Sequence, residues 1–307
     1  MHVAFSSDNN YANYLKIAIL SLLDNNKIKK QINIHILDNG ISDDNKKCLE
    51  GICNRFKCKV NFYDLREINE ILEKNNIEGI SIAAYSRLFL SELLDESIEK
   101  VIYMDVDSLI LGELDYVYDL DMKNNLIAAV EDIVPCNFKQ VLSLDKSDRY
   151  VNSGFLVINL KEWRKLDFIS KALKILKNYD GNKIHHDQGV INKICNGKII
   201  YLEPKYNSMT PFYKLNYNAM LKFYRLDNYY SKEIINEAIK KPIFIHFTPA
   251  FDIRPWEIGC NHPVVYKYYE YIKKCDLNRD NILIKSKKKL KVKIIERLIS
   301  IYYNFRF

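Results

Sequence analysis

The 307-residue sequence contains neither Gly-x-Gly-x-x-Gly nor the Gly-x-x-x-x-Gly-Lys-Ser/Thr loop, so the two common glycine-rich phosphate cradles are absent. Gly-x-Ser-x-Gly and His-Glu-x-x-His are missing too, which sets aside the familiar serine-hydrolase and zinc-protease arrangements. Glycine and proline are scarce, at 9 and 7 copies, too few for a long flexible linker. Seven cysteines, at positions 48, 53, 58, 136, 195, 260 and 275, form no Cys-x-x-Cys pair and are odd in number. They read as reduced thiols of a cytosolic protein. No signal-peptide pattern opens the chain, and no apolar run approaches the roughly 20 residues of a membrane span. Net positive charge is lacking over most of the length. Lys and Arg number 46 against 39 Asp and Glu, but from Lys285 to Phe307 eight basic residues face only Glu296. The tail thus holds the whole excess, and a neutral body argues against nucleic acid as the main partner.

What remains is ordinary for a folded α/β protein, with 48% hydrophobic and 28% charged residues. Short β-branched runs alternate with amphipathic stretches of helix length, the pattern of a largely parallel sheet. Strands are expected at His2–Ser6, Asn33–Leu37, Lys59–Tyr63, Lys100–Met104, Leu126–Val130, Gly154–Ile158, Ile199–Leu202 and Ile243–His246. Helices are expected at Tyr11–Leu23, where Leu15, Ile19 and Leu22 share a face, and at Asp43–Phe56 behind a Ser42 cap. Others follow at Ala84–Leu94, Lys161–Asn178 and Asp187–Cys195.

The segment richest in chemistry is Val101-Ile-Tyr-Met-Asp105-Val-Asp107, an apolar strand running into two carboxylates. On a continuing strand that spacing puts both on one face. Carboxylates so close repel unless a cation lies between them, and Mg2+ or Mn2+ takes oxygen ligands and substrate phosphates. Strand ends in α/β sheets are also where nucleotides bind. Lys241-Pro-Ile-Phe-Ile-His246 ends a second apolar run in a histidine, either a structural residue or a third ligand. Tyr150-Val-Asn152-Ser153-Gly154 reads as a turn opening a strand or as a binding loop. His185-His186-Asp187-Gln188-Gly189 reads as a helix cap by Asp187 or as a second polar site.

Taken in order, these segments resemble glycosyltransferase family 8, in its bacterial lipooligosaccharide galactosyl- and glucosyltransferase branch, over roughly residues 1–256. The resemblance implies an α/β fold of the GT-A nucleotide-diphospho-sugar transferase type, one Rossmann-like mixed sheet flanked by helices. It implies a catalytic domain over residues 1–258 and a helical C-terminal segment over 259–307. Asp8, Asn10 and Tyr11 would hold uracil and ribose, and Arg87, in Ala-Tyr-Ser-Arg-Leu, would reach the donor. Asp105, Asp107 and His246 match the ligands of Mn2+ or Mg2+. Asn152 belongs to a sugar-contacting loop, and Asp187 and Gln188 match the pair beside the transferred sugar. One departure stands out. The family continues from its histidine as His-x-x-Gly-x-x-Lys-Pro-Trp, whereas here the run is His246-Phe-Thr-Pro-Ala-Phe-Asp-Ile-Arg254-Pro-Trp256. It is longer, Pro249 offers no N–H, and Arg254 takes the place of a phosphate-binding lysine.

The implied reaction moves galactose or glucose from UDP-galactose or UDP-glucose, with retention, to a lipid-linked surface glycan. A phosphohydrolase using the same aspartates, or a non-catalytic glycan binder on the same fold, are the alternatives. In the tail, Leu290, Ile294, Leu298, Ile301, Tyr302 and Phe305 share one helical face with lysines and arginines outside it. That pattern fits either a helix packed on the domain or an in-plane anchor on the anionic inner face of the cell membrane.

Overall fold

Runs of Val, Ile, Phe and Tyr bounded by polar breaks form strands, and the amphipathic stretches between them form helices. The computed structural model describes residues 1–26, 31–75, 77, 82–134, 137–179 and 184–307. Cys136 lies outside these residues; the six other cysteines are free thiols. The strands are β1 (His2–Asp8), β2 (Asn33–Asn39), β3 (Lys59–Asp64), β4 (Lys100–Met104), β5 (Ser108–Ile110), β6 (Ile127–Glu131), β7 (Val151–Asn159), β8 (Ile199–Tyr201), β9 (Ser208–Met209) and β10 (Phe244–His246). The helices used below are α1 (Ala12–Asn25), α2 (Asp43–Arg55), α3 (Leu160–Leu166), α4 (Phe168–Asn178), α5 (His186–Cys195), α6 (Tyr217–Tyr224) and α7 (Leu290–Arg306). Contacts group the chain into two units, residues 1–12, 27–106 and 114–202, and residues 13–26, 107–113 and 203–307.

The first unit is built on a seven-stranded sheet of order β3-β2-β1-β4-β7-β6-β8. All neighbours are parallel except β7, which runs against both β4 and β6. Val3, Ala4, Phe5, Ile34, Ile36 and Leu37 are all fully buried. Such consecutive buried residues, broken only by the buried His35, rather than alternation, mark strands covered on both faces. The chain moves outward from β1 through β2 to β3, then returns to place β4 on the other side of β1. Between β1 and β4 the strand order therefore reverses, the place where open α/β sheets leave a crevice at the strand ends.

Two expected helices are broken, each for a packing reason. The stretch 161–178 splits into α3 and α4 at Asp167, whose φ is 53°. The break lets Trp163 and Phe168 stack at 3.6 Å in the core, with the indole N–H on the Leu126 carbonyl at 3.1 Å. The stretch 84–94 becomes short turns, and a tight 3-10 turn buries all four of Ser86–Phe89. Asn152–Gly154 is strand rather than turn, because β7 begins at Val151. Ser42 caps α2 as expected, accepting from Asn45 N.

The second unit has a three-stranded sheet, β5-β10-β9, antiparallel on the β5 side and parallel on the β9 side. Residues of α1 seat β5, with Ser21 Oγ accepting from Ile110 N at 3.0 Å. Tyr14 stacks on Trp256 at 3.9 Å. Helix α7 is joined to this unit through Ser300 and Asn304, which both donate to the Lys214 carbonyl, and through Tyr303, set edge-on to Phe223 of α6. Its other face is bare, with Leu298 60% and Phe305 93% exposed. Among the described residues no helix is long and apolar enough to cross a membrane.

Candidate active site

In the first unit the polar residues gather at the carboxyl ends of β1 and β4 and at the amino end of the antiparallel β7. At β1, the Asp8 carboxylate accepts from Tyr11 N at 2.9 Å and closes a one-turn helix, leaving Asn10 and Tyr11 exposed. Strand β4 stops at Met104, and the Asp105 N–H donates to the Gly154 carbonyl of β7 at 2.9 Å. The strand does not continue through the aspartates, so Asp105 and Asp107 are carried on the link from β4 to β5 rather than on a continuing strand. Opposite Asp105, the buried turn carrying Arg87 is pinned to β1 by Ser86 Oγ on Ser6 Oγ. Arg87 Nη2 lies 2.9 Å from Asp105, Nε lies 3.2 Å from Asp187, and Nη1 donates to the Ser153 carbonyl. Its guanidinium sits over the Tyr103 ring, and Tyr103 Oη donates to Asp105. Burial alone would lower the Arg87 pKa; the two carboxylates outweigh it and hold it above the ordinary value.

Asp187 does not cap α5. Its carboxylate turns to Arg87 and to Ser153 Oγ, and burial pushes its pKa up against the pull of Arg87. Gln188 is held at both ends of its amide. The oxygen accepts from Ser153 N and Asn152 Nδ2, while the nitrogen donates to Asp132 at 2.8 Å and faces His185 Nδ1 at 3.2 Å. His185, just ahead of α5, and His186, its first residue, both adopt positive φ. Only glycine fits at 189, since a Cβ there would lie 1.6 Å from the Ile184 carbonyl oxygen. Asn192 staples the helix to β7 by exchanging hydrogen bonds with the backbone of Val151.

In the second unit, antiparallel pairing sets His246 opposite Ser108, and the ladder extends from Phe247 N to the Asp107 carbonyl. His246 Nε2 then lies 3.2 Å from Asp107 Oδ1. Its Nδ1 donates to Asn207 Oδ1 at 3.2 Å, which leaves Nε2 the coordinating nitrogen. Arg254 reaches the other Asp107 oxygen at 2.7 Å and also donates to the Phe247 carbonyl. Burial alone would raise the Asp107 carboxyl, but Arg254 and His246 outweigh it and hold it well below the usual carboxylate range. One residue, Val106, separates Asp107 from Asp105 along the chain. Together these two carboxylates and the imidazole are a donor set that could hold a metal ion. Oxygen ligands with one imidazole suit Mg2+ or Mn2+, and an oriented histidine is usual at such centres.

The sequence reading did not name Asp132, Tyr103 or Asn207, which hold Gln188, Asp105 and His246 respectively. Asp132 carried a usable signal, the second of two carboxylates after the apolar run Ile127–Val130, much like the sign that marked Asp105. Asn207 carried none.

Residues 2–258 match the sequence profile of glycosyl transferase family 8. General stress protein A of Bacillus subtilis (strain 168) is 29% identical over 277 residues, covering 89% of this chain and 93% of that protein. Lipopolysaccharide 1,2-glucosyltransferase of Escherichia coli (strain K12) is 26% identical over 273 residues, covering 88% and 76% respectively. Among solved structures, an active-site mutant of LgtC superposes with a TM-score of 0.73 at 25% identity, covering 89% of this chain and 96% of that one. With the GT-A fold shared and the family profile spanning most of its length, this chain belongs to glycosyl transferase family 8.

Proposed function

We propose that the chain is a retaining hexosyltransferase, moving galactose or glucose from a UDP-sugar to a lipopolysaccharide, lipooligosaccharide or other surface glycan. The observation that carries this reading is the Asp107–His246 pair beside Arg254, one residue along the chain from Asp105. Asp105, Asp107 and His246 would hold Mn2+ or Mg2+. When bound, the ion supplies positive charge against the diphosphate leaving group. Asp8, Asn10 and Tyr11 bind uracil and ribose at the end of β1. Arg254 binds the diphosphate, and Arg87, Asn152 and Asp187 fix the sugar through its hydroxyls.

In the reaction the bond from the anomeric carbon to the phosphate oxygen breaks while an acceptor oxygen bonds the same face. The acceptor proton passes to the departing phosphate, and an α-linkage results. The two-ended clamp on Gln188 supports a positioning part for that amide beside the reacting carbon. An amide tied by four contacts is poorly suited to act as a nucleophile, and Asp187 is already engaged by Arg87 and Ser153. The bare apolar face of α7, bordered by lysines and arginines, supports attachment to the anionic inner surface of the cell membrane, where lipid-linked acceptors are met.

Screening UDP-sugars with Mn2+ tests the reading. Hydrolysis of UDP-galactose or UDP-glucose without acceptor, and transfer to lipooligosaccharide with retained configuration, is the expected result. Phosphate release from simple phosphomonoesters, with no UDP-sugar turnover, would overturn it. Sedimentation with anionic vesicles checks the attachment separately.

A further inference from the structure

The loop after His246 departs from the family pattern, and within the second unit it is fastened by Lys214, which pairs with Asp252, and by residues near the far end of the chain. We infer that Lys288, just ahead of α7, is a positioning residue for Arg254 and so for the donor diphosphate; this rests on the phosphate-binding part proposed for Arg254. The Lys288 side chain is only 15% exposed. An ammonium has three N–H donors, and here each has an acceptor: the Pro249 carbonyl at 2.6 Å, the Asp252 carbonyl at 3.1 Å and the Glu296 carboxylate of α7. Two of the three are backbone atoms of the lengthened loop.

A second tie lies beside the first. Lys287 N donates to Glu257 Oε1 at 3.0 Å, and Glu257 Oε2 accepts from Arg254 N at 2.9 Å. Ile284 pairs with the same stretch, its N–H on the Trp256 carbonyl and its carbonyl on Ile258 N, both at 2.9 Å. At the loop tip Phe251, with φ of 63°, sets its ring edge-on to Phe223, which in turn meets Tyr303 of α7. Pro249 has no N–H, and the run holds no glycine, so the loop cannot close on itself as a glycine turn would. Residues 284–296 supply the missing donors and fix the base from which Arg254 extends to Asp107. The C-terminal segment is then a working part of the donor site, and not only a detachable anchor.

The test measures UDP affinity by calorimetry with Mn2+ on the full-length protein, alongside donor KM and kcat. Lys288→Met should weaken UDP binding about tenfold and raise donor KM, with kcat within about twofold, as loss of a positioning contact requires. Arg254→Gln should weaken UDP binding by about tenfold or more, and adding Lys288→Met to it should cost little further, since the two act through one contact. Additive losses would assign Lys288 a general structural part and overturn the inference. So would normal UDP affinity in Lys288→Met while Arg254→Gln is impaired. An unimpaired Arg254→Gln would overturn instead the reading of Arg254 on which the inference rests. Should Lys288→Met not fold, Glu296→Ala removes one of the three acceptors and should weaken UDP binding about threefold; no change there would count against the inference equally.

Discussion

Asp187, at the start of α5, and Asp107, ahead of β5, are buried to nearly the same degree, 6% and 8% exposed, and each lies within ion-pair reach of one arginine. Their acidities nevertheless move in opposite directions. Asp187 shares Arg87 with Asp105, which sits closer to the guanidinium, and its remaining side-chain partner is the neutral Ser153 hydroxyl. Burial then prevails and the carboxyl goes up. Asp107 has Arg254 at 2.7 Å and His246 beside it, and burial loses. Burial sets the size of the stakes, and the apportioning of positive charge decides the outcome. Around Arg87 two carboxylates face one guanidinium, so that cluster has room for a further cation.

The sharpest way to break this comparison is to remove the carboxylates proposed to hold the metal. Asp105→Asn or Asp107→Asn should lower metal-dependent transfer by about 10³-fold or more, since the charge lost is spent at the transition state. Folding, followed by circular dichroism, should survive. Near-normal rates in chelator-treated buffer would remove the metal assignment. The arginines should differ in stability rather than activity alone. Arg87→Met strands the buried Asp187 carboxylate and the half-buried Asp105 and should cost about 3–5 kcal/mol in urea unfolding. Arg254→Met, at a site whose side chain is 25% exposed, should cost clearly less. Equal losses would show that sharing a guanidinium has no structural consequence.

A smaller effect is expected at Gly189. A methyl group there meets a backbone oxygen, so the Ile184–His186 turn must shift, and Gly189→Ala should destabilise by about 1–3 kcal/mol. Because His185 of that turn contacts the Gln188 amide, transfer should fall more than stability explains. A variant with unchanged melting and unchanged kcat would mean that the turn is loose.

Much of this was legible in the sequence, and the limit has a physical origin. Asp105, Asp107 and His246 were readable because each polar residue ends an apolar run, and strand ends converge in an α/β sheet. Ser42 was readable because capping is local. The partners that complete the site were not. Arg87 reaches Asp187 from 100 positions away, Asn207 meets His246 from 39, and Lys288 meets Pro249 from 39. Such pairs depend on how elements pack, and a one-dimensional pattern carries no sign of it. Asp187 shows the same limit in reverse. A carboxylate in a first helical turn reads as a cap until a distant guanidinium is seen to claim it.

The finest probe of the comparison is pH. Asp187 has its pKa raised above the ordinary 3.8, so just above that value the native chain holds a proton that the unfolded chain has lost. Its contribution to stability is present at lower pH and is lost as pH rises through the raised value. Asp107 is depressed, so its contribution is present above 3.8 and is lost as pH falls toward the native value. Urea unfolding of the wild type, Asp187→Asn and Asp107→Asn in chelator-treated buffer, from about pH 3.5 to 7, separates the two. The wild-type advantage over Asp187→Asn should shrink with rising pH, while the advantage over Asp107→Asn should grow and then level off. Two curves of the same slope would show that one arginine serves both carboxylates of the first unit as well as Arg254 and His246 serve Asp107, and the contrast between the two regions would be gone.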